Sequence, residues 1–238
     1  MKIIGLIPTR LNSSRLAKKA LLNIDGLPMI VHTLKRAQMC KKLKQIFVCT
    51  DSKEIKNVVE EYGGQAILTK SSHKTGTDRI AEAAKKLNFD YAIDIQGDFP
   101  MLDPKNIETL INFHLKNNRF DIVVPSSPIK DNSEKSIVKV LMAKNHKVLY
   151  FSRSAVPFTY KLKPKNFLKH MSIISFKKKS LLEFGKQKQS NYEKIEGIEL
   201  LRSIENNFNV GSFIIKRDIF SVDVQKDYLR AIDLMPND

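Results

Sequence analysis

Apolar residues run almost unbroken through Lys2–Ile7, Gln45–Thr50, Tyr91–Ile95 and Asp121–Val124. Runs this short and this apolar predict strands covered on both faces, as in a parallel sheet. Between them the period changes. Ile55, Val58, Val59 and Tyr62 fall at i, i+3, i+4 and i+7, along one face of a helix that Asp51 is placed to cap, with Glu54 three residues on. Ile80, Ala83, Ala84 and Leu87 form a second stripe, and Ile107, Leu110, Ile111 and Leu115 a third. Strands alternating with helices predict an α/β domain with a doubly wound, mostly parallel sheet.

The second half is patterned differently. Ser136–Leu141 and Lys147–Ser152 read as paired strands around an Asn145-His146 turn, followed by a Lys/Pro loop over Pro157–Asn166. Leu168–Phe176 reads as a further strand, with helices near Ser180–Gly185 and Tyr192–Arg202. The chain returns to the main domain near Phe213–Asp218. The pattern predicts a single domain over residues 1–238 with a smaller, mixed α+β lobe inserted at about 126–212.

Composition narrows the class. With 42% hydrophobic residues in 238, the chain can fill a sizeable core, which excludes bulk disorder. Two cysteines, Cys40 and Cys49, exclude a disulfide scaffold and read as small core hydrophobes of a reducing compartment. No Cys/His cluster has zinc-ligand spacing. No apolar stretch approaches the roughly 18–20 residues of a membrane span. The apolar start soon meets Arg10 and Arg15, unlike a signal peptide, so a soluble cytoplasmic protein is expected. The 41 Lys and Arg against 25 Asp and Glu leave a net charge of +16, which invites a nucleic-acid reading. The lysines, however, fall in separate groups at 41–44, 161–169 and 177–179, with no RNA- or DNA-binding signature among them. They read as solvated faces, and nucleic acid is not expected as a partner.

Candidate chemistry lies where predicted strands end. The loop after the first strand, Pro8–Lys19, carries Arg10, Ser13, Ser14, Arg15 and Lys19, a set suited to phosphates at the ligand-binding edge of an open α/β sheet. It lacks the G-x-x-x-x-G-K of a Walker loop. Gln96-Gly97-Asp98 ends another strand, and Asp98 is there either a Mg²⁺ ligand or an ordinary turn residue. Ser71–Arg79 leads into a helix with Thr75 and Thr77 as capping candidates, His73 undecided, and N–H groups suited to an anion or a base edge. Asp223, before the last helix, reads by itself as a cap. His32 and His114 lie on or near apolar helix faces and read as structural, and His146 as a turn residue.

These segments, in this order, resemble the 3-deoxy-manno-octulosonate (Kdo) cytidylyltransferases, or CMP-Kdo synthetases. Arg10, Ser13, Ser14, Arg15, Leu16, Lys19 and Leu21 match the family's A-R-x-x-S-[ST]-R-L-P-x-K-x-L. Gly26-Leu27-Pro28-Met29-Ile30-Val31-His32 matches G-x-P-M-I-x-H, and Gly76-Thr77-Asp78-Arg79 matches G-T-D-R. Thr50-Asp51, Gln96-Gly97-Asp98 with Pro100, and Tyr150-Phe151-Ser152-Arg153 with Pro157 match T-D, Q-G-D-x-P and Y-F-S-R-x-x-[IV]-P. The resemblance implies a nucleotide-diphospho-sugar transferase-like fold and a nucleotidyltransferase reaction for lipopolysaccharide biosynthesis. In it the anomeric hydroxyl of a 3-deoxy-2-ulosonic acid attacks the α-phosphate of CTP, giving a CMP-sugar and pyrophosphate. It implies Arg10, Ser13, Ser14, Arg15 and Lys19 on the triphosphate, Thr75, Arg79 and Gln96 near the nucleoside, and Asp98 and Asp223 on Mg²⁺. Arg10, Lys19, Asp98 and Asp223 form the implied catalytic set, and a homodimer built through the second lobe is also implied. Arg153 and His170 would face the sugar acid.

The chain departs from the family where the sugar is read. The H-x-G-I-Y tyrosine is Ile174, and the L-E-Q-L-R glutamine is Leu200. Loss of a phenol and an amide suits a different hydroxyl or amino pattern, such as an 8-amino analogue. Glu196 and Glu199, three apart ahead of Arg202, read as one helical face, either an exposed ion-pair ladder or sugar contacts. An acylneuraminate or other acidic-sugar cytidylyltransferase is the same-class alternative, and a non-catalytic basic nucleic-acid-binding protein the alternative of another class.

Overall fold

A computed structural model describes residues 1–13, 15–216 and 220–235. The chain divides into two compact units, one of Met1–Glu108 with Ile219–Asp238 and the other of Thr109–Asp218.

The first unit opens with β1 (Ile3–Thr9), a 3₁₀ turn (Lys19–Leu21), the two-residue strands β2 (Asn23–Ile24) and β3 (Leu27–Pro28), and helix α1 (Met29–Gln38). It continues with β4 (Gln45–Thr50), α2 (Lys53–Glu61), β5 (Gln65–Leu68), α3 (Gly76–Ala84), β6 (Tyr91–Ile95) and the start of α4 (Pro104–Lys116). Four strands pair in parallel in the order β5-β4-β1-β6. Thr9 stands opposite Thr50, and Leu6 opposite Asp94, so all four strands release their chains at one edge. The strands are apolar on both faces because helices cover both: Ile4, Leu6, Val48 and Ile93 are buried, as are Ile55, Val59, Ile80 and Ala84. The cap of α2 is Ser52, whose hydroxyl accepts from Ile55 N at 3.3 Å, and not Asp51. Asp51 is engaged elsewhere, because its carboxylate meets Arg79.

The second unit holds β7 (Ile122–Ile129), β8 (Lys139–Met142), β9 (Val148–Ser152), β10 (Phe167–His170), β11 (Ile173–Lys177), α5 (Lys178–Phe184), α6 (Asn191–Glu196), α7 (Leu201–Glu205) and β12 (Val210–Ile214). β7 is central. One edge pairs in parallel with β12, and the other takes β11 and β10 in turn, both antiparallel. The strand expected over Leu168–Phe176 is thus two strands, because the chain turns at Met171-Ser172 to change its place along β7. The helix expected over Tyr192–Arg202 is also two, divided by Gly197 at φ +64°. Phe213 belongs to this unit through β12, whereas helix α8 (Gln225–Leu234) belongs to the first. The architecture is α/β with a mostly parallel sheet and a smaller mixed unit, as the alternation of periods predicted.

Cys40 and Cys49 are buried thiols, and burial pushes both upward in pKa. No helix among the described residues is long and apolar enough to cross a membrane.

Candidate active site

The loops that follow β1 and β6 are forced together by glycine. A methyl group on Gly97 would stand 3.1 Å from the Pro8 carbonyl oxygen and 3.2 Å from Thr9 Cβ, so only hydrogen fits without displacing β1. Thr33 on α1 donates to the Gly97 carbonyl at 3.2 Å and holds this turn from the other side. A methyl group on Gly76, at the start of α3, would stand 3.2 Å from Pro8 Cγ, which brings a third segment to the same place.

Asp98 leaves this turn half-buried, and Lys19 Nζ donates to its Oδ2 at 2.6 Å. The same ammonium donates to the Val222 carbonyl at 3.0 Å and lies 3.5 Å from Asp223 Oδ1. Arg15 Nη2 donates to that same Asp223 oxygen at 2.7 Å. Asp223 arrives from the far end of the chain because its neighbour is core. Val222 packs with Ile24, Met29 and Ala231, and Leu16, Phe220 and Tyr228 close over the cluster. Val222 N donates to the Asp98 carbonyl at 3.1 Å, and Tyr228 Oη to the Asn23 carbonyl at 2.6 Å. Asp223 does not cap α8. Asp227 does that work, its Oδ2 accepting from Asp223 N at 3.0 Å and Val224 N at 3.1 Å, and the Asp223 carboxylate is left for the cations.

Burial pushes the Asp98 carboxyl up in pKa, Lys19 pulls it down, and the Asp223 charge raises it again. Lys19 lies within reach of both carboxylates and offsets their mutual repulsion. A Mg²⁺ ion takes one or two protein carboxylates and completes its shell with water and substrate phosphate, so the donor set of Asp98 and Asp223 fits it. Among the described residues no group of three or more His, Cys, Asp or Glu forms a closed protein cage. Arg10 is exposed directly after β1, Ser13 is half-buried, and Ser14 lies outside the described residues.

The residues read as lying near the nucleoside gather at the same sheet edge. Thr75 caps α3, its hydroxyl accepting from Asp78 N at 3.1 Å. Arg79 is buried and spans two strand ends, donating to Asp51 Oδ2 at 2.9 Å and Thr69 Oγ1 at 2.7 Å. Thr69 N in turn donates to the Thr50 carbonyl at 2.8 Å. Gln96 Nε2 donates to the fully buried Asp94 at 3.0 Å. His73 meets Glu82, whose carboxylate also accepts from Lys70 N at 3.0 Å, tying the loop ahead of α3 to the helix. These contacts lower the Glu82 pKa against the opposing effect of burial.

The second unit holds the other candidates. The Arg153 guanidinium donates to four main-chain carbonyls, those of Glu196 (2.9 Å), Ser136 (2.9 Å), Lys135 (3.3 Å) and Gly197 (3.4 Å). The Glu196 carboxylate accepts from Arg153 N at 2.9 Å and Ser152 Oγ at 2.8 Å. Arg153 and Glu196 are therefore brought together, whereas Glu196 and Glu199 do not share a helical face. Gly197 ends α6, and Glu199 lies in the turn beyond it. Arg202 holds the buried Glu193 through two bonds, 2.8 and 2.6 Å, and lies over the Phe184 ring. His170 packs edge-on to Phe151, and burial with the Arg153 charge pushes it down to about 4. Ile174 and Leu200 are both buried.

Two arrangements were missed in the sequence, one with no signal beyond residue type and one with a weak one. Lys139 is buried, and its ammonium donates to the carbonyls of Glu134 and Ile137 at 2.8 Å and Arg153 at 2.5 Å. A lysine in an alternating strand pattern reads as surface. Glu193 reads as a first-turn helix charge, and only its Ser190-x-x-Glu193 capping-box spacing marks it.

The model of the cytidylyltransferase family matches residues 4–217. The chain is 37% identical to the 3-deoxy-manno-octulosonate cytidylyltransferase of Chlorobium limicola, covering 88% of this chain and 87% of that one. It is also 37% identical to the 8-amino-3,8-dideoxy-manno-octulosonate cytidylyltransferase of Shewanella pealeana, over 95% and 96%. Among solved structures it is similar to a CMP:2-keto-3-deoxy-manno-octonic acid synthetase complexed with CTP, with TM-score 0.94, 32% identity and 98% of each chain covered. With its cations and carboxylates gathered at the edge where the parallel strands end, this chain belongs to the cytidylyltransferase family and is a nucleotidyltransferase of the branch that contains the 3-deoxy-manno-octulosonate enzymes.

Proposed function

We propose that the protein joins CTP to a 3-deoxy-2-ulosonic acid, Kdo or its 8-amino analogue, and that the CMP-sugar serves lipopolysaccharide biosynthesis. The anomeric oxygen would form a bond to the α-phosphorus, the bond to the β-phosphate would break, and pyrophosphate would leave while the hydroxyl proton passes to solvent. The observation that carries this reading is the meeting of Lys19 and Arg15 with Asp98 and Asp223 at the C-terminal edge of the parallel sheet. Phosphoryl transfer asks for positioning and charge neutralisation more than covalent protein chemistry, and this set is suited to both.

On this reading Arg10, Arg15 and Lys19 hold the phosphates, with Ser13 and Ser14 adding donors, and Asp98 and Asp223 hold Mg²⁺. Bound there, Mg²⁺ would neutralise phosphate charge and acidify the attacking hydroxyl. Thr75 and Gln96 stand ready for the nucleoside, and Arg79 fixes the strand ends around them. In the second unit His170, Glu199 and the Arg153–Glu196 cluster supply the sugar-acid side. Arg153 does so chiefly by positioning, because its guanidinium is held by main-chain carbonyls. Relatives with equal identity carry the Kdo and 8-amino names, and the buried Ile174 and Leu200 support a pocket read through other groups than the family's phenol and amide. Exposed Leu149, Tyr192 and Ile195 offer apolar surface on the second unit for a second copy, in a cytoplasmic homodimer.

The test is pyrophosphate release from CTP and Mg²⁺ with Kdo, 8-amino-Kdo and an acylneuraminate offered separately. Release with either octulosonate is expected. No release with any sugar overturns the proposal, and release with acylneuraminate alone moves it to that substrate class. Asp98→Asn is expected to abolish turnover in a folded protein, and full turnover at saturating Mg²⁺ would remove Asp98 from the metal role.

A further inference from the structure

The cations proposed for the phosphates and the carboxylates proposed for the metal already satisfy each other. Lys19 lies between Asp98 and Asp223, at 2.6 and 3.5 Å, and Arg15 takes the second contact on Asp223 at 2.7 Å. Two positive and two negative side chains thus close into a neutral cluster. One ammonium is thus within ion-pair distance of both carboxylates proposed for the metal.

We propose that Lys19 is the resident cation of the Asp98–Asp223 pair in the nucleotide-free protein, and that the arriving triphosphate draws it off to open the metal site. The inference rests on the metal reading of Asp98 and Asp223 given above. Its physical basis is a charge balance. A divalent ion entering the closed cluster would leave Lys19 beside it, two cations at contact in a half-buried site, and this repulsion weakens binding. A polyanionic triphosphate gives Lys19 and Arg15 new partners and frees both carboxylates at the same moment. Metal and nucleotide then bind together.

Lys19 is built for such a transfer. It opens a short 3₁₀ turn after Lys18, which is held at φ +48° and is itself anchored to Glu54 at 2.9 Å. The Lys19 carbonyl accepts from Leu22 N at 3.2 Å within that turn, while the side chain's four-carbon stem lets the ammonium exchange partners. Its third contact, the Val222 carbonyl, is neutral and can keep part of its hold in either state.

The test is Mn²⁺ binding to the protein alone, without nucleotide or sugar, read from the electron paramagnetic resonance of the free aquo-ion. Wild type is expected to bind weakly. Lys19→Gln and Lys19→Met are expected to bind at least about tenfold more tightly, the effect of removing roughly one like charge near a protein surface. Lys19→Arg keeps the charge and is expected to bind as weakly as wild type. Adding Asp98→Asn to Lys19→Gln should cancel the gain. Thermal melting checks that each variant is folded. Equal Mn²⁺ affinity in wild type and Lys19→Gln overturns the inference, and so does a gain in Lys19→Arg as large as that in Lys19→Gln. In either case loss of turnover in Asp98→Asn would leave the metal reading standing. A gain in Lys19→Gln that Asp98→Asn does not cancel overturns both.

Discussion

Arg79 reaches across from α3 to Asp51 at 2.9 Å, and the same guanidinium holds Thr69 at 2.7 Å, so one buried side chain locks the ends of β4 and β5. The pair is 28 positions apart in sequence and shapes the edge at which the proposed nucleoside site lies. Breaking one partner of a buried pair leaves the other charge uncompensated. Arg79→Ala is expected to cost about 3 kcal/mol in urea unfolding. Arg79→Lys should recover part of the loss but not the bond to Thr69, because a single ammonium replaces a fork. Unchanged stability in Arg79→Ala would show that the pair is not a lock.

Gly97→Ala addresses the turn that presents Asp98. The added methyl would meet the Pro8 carbonyl and Thr9, which are main-chain and β-carbon atoms of a central strand and yield little. A stability loss of about 1–3 kcal/mol is expected from this overpacking. A larger proportional loss should appear in kcat, because a positioned reaction is sensitive to small displacements of the turn that carries Asp98. A normal kcat in a destabilised variant would separate the turn from catalysis.

Arg153→Lys distinguishes a structural from a contacting arginine. An ammonium cannot reach all four carbonyls that the guanidinium serves; water can replace it at the exposed Lys135, Ser136 and Gly197 carbonyls, so the loss is expected to be modest, about 1 kcal/mol. The melting temperature should therefore fall, and the KM for the sugar acid should rise while the KM for CTP stays near its wild-type value. A raised sugar KM with an unchanged melting temperature would favour direct contact with the sugar carboxylate.

Two histidines set an acid limit. His114 is fully buried, between Ser175 Oγ at 2.7 Å and the Phe120 carbonyl at 3.1 Å, and burial pushes it down to about 4. His170 is also held near 4, by burial and the Arg153 charge. Both folded-state values lie below the unfolded one, so the unfolded chain binds the extra protons. Stability is therefore complete above about pH 6.5 and falls as pH drops toward 4, by at most about 3 kcal/mol for each ring. Urea unfolding at pH 7.5, 6 and 5 would read the slope. The raised Asp98 carboxyl works against this slope, so the same series is run on Asp98→Asn, where a flat profile would show that both rings accept a proton in the folded protein. The loss from Glu82, whose pKa is lowered, falls below this window and does not confuse it.

Much of the first unit was legible because its signals are local. The apolar runs at Ile3–Ile7, Phe47–Cys49 and Ala92–Ile95 are strands, and the stripes through Ile55 and Ile80 are helices, because burial on both faces and on one face leave different periods. The second unit was less legible. Leu168–Phe176 carries one apolar run across two strands, since the turn at Met171-Ser172 contains no glycine or proline to mark it. Gly197 carried such a mark within Tyr192–Arg202, but the spacing of Glu196, Glu199 and Arg202 imitates a continuous face.

The sequence by itself determined the class of fold, the loops that carry cations and carboxylates, and, through the spacing of its motifs, the family. Those properties depend on short stretches of chain and on which residue types they contain. Only the tertiary structure decided who partners whom. Arg15 and Asp223 are 208 positions apart, and nothing in either segment names the other. They meet because Val222 is buried with Ile24 and Met29, which fixes the last segment over the first loop. Hydrophobic burial chose the place, and within that place the charges found a neutral arrangement in which Lys19 holds both Asp98 and Asp223.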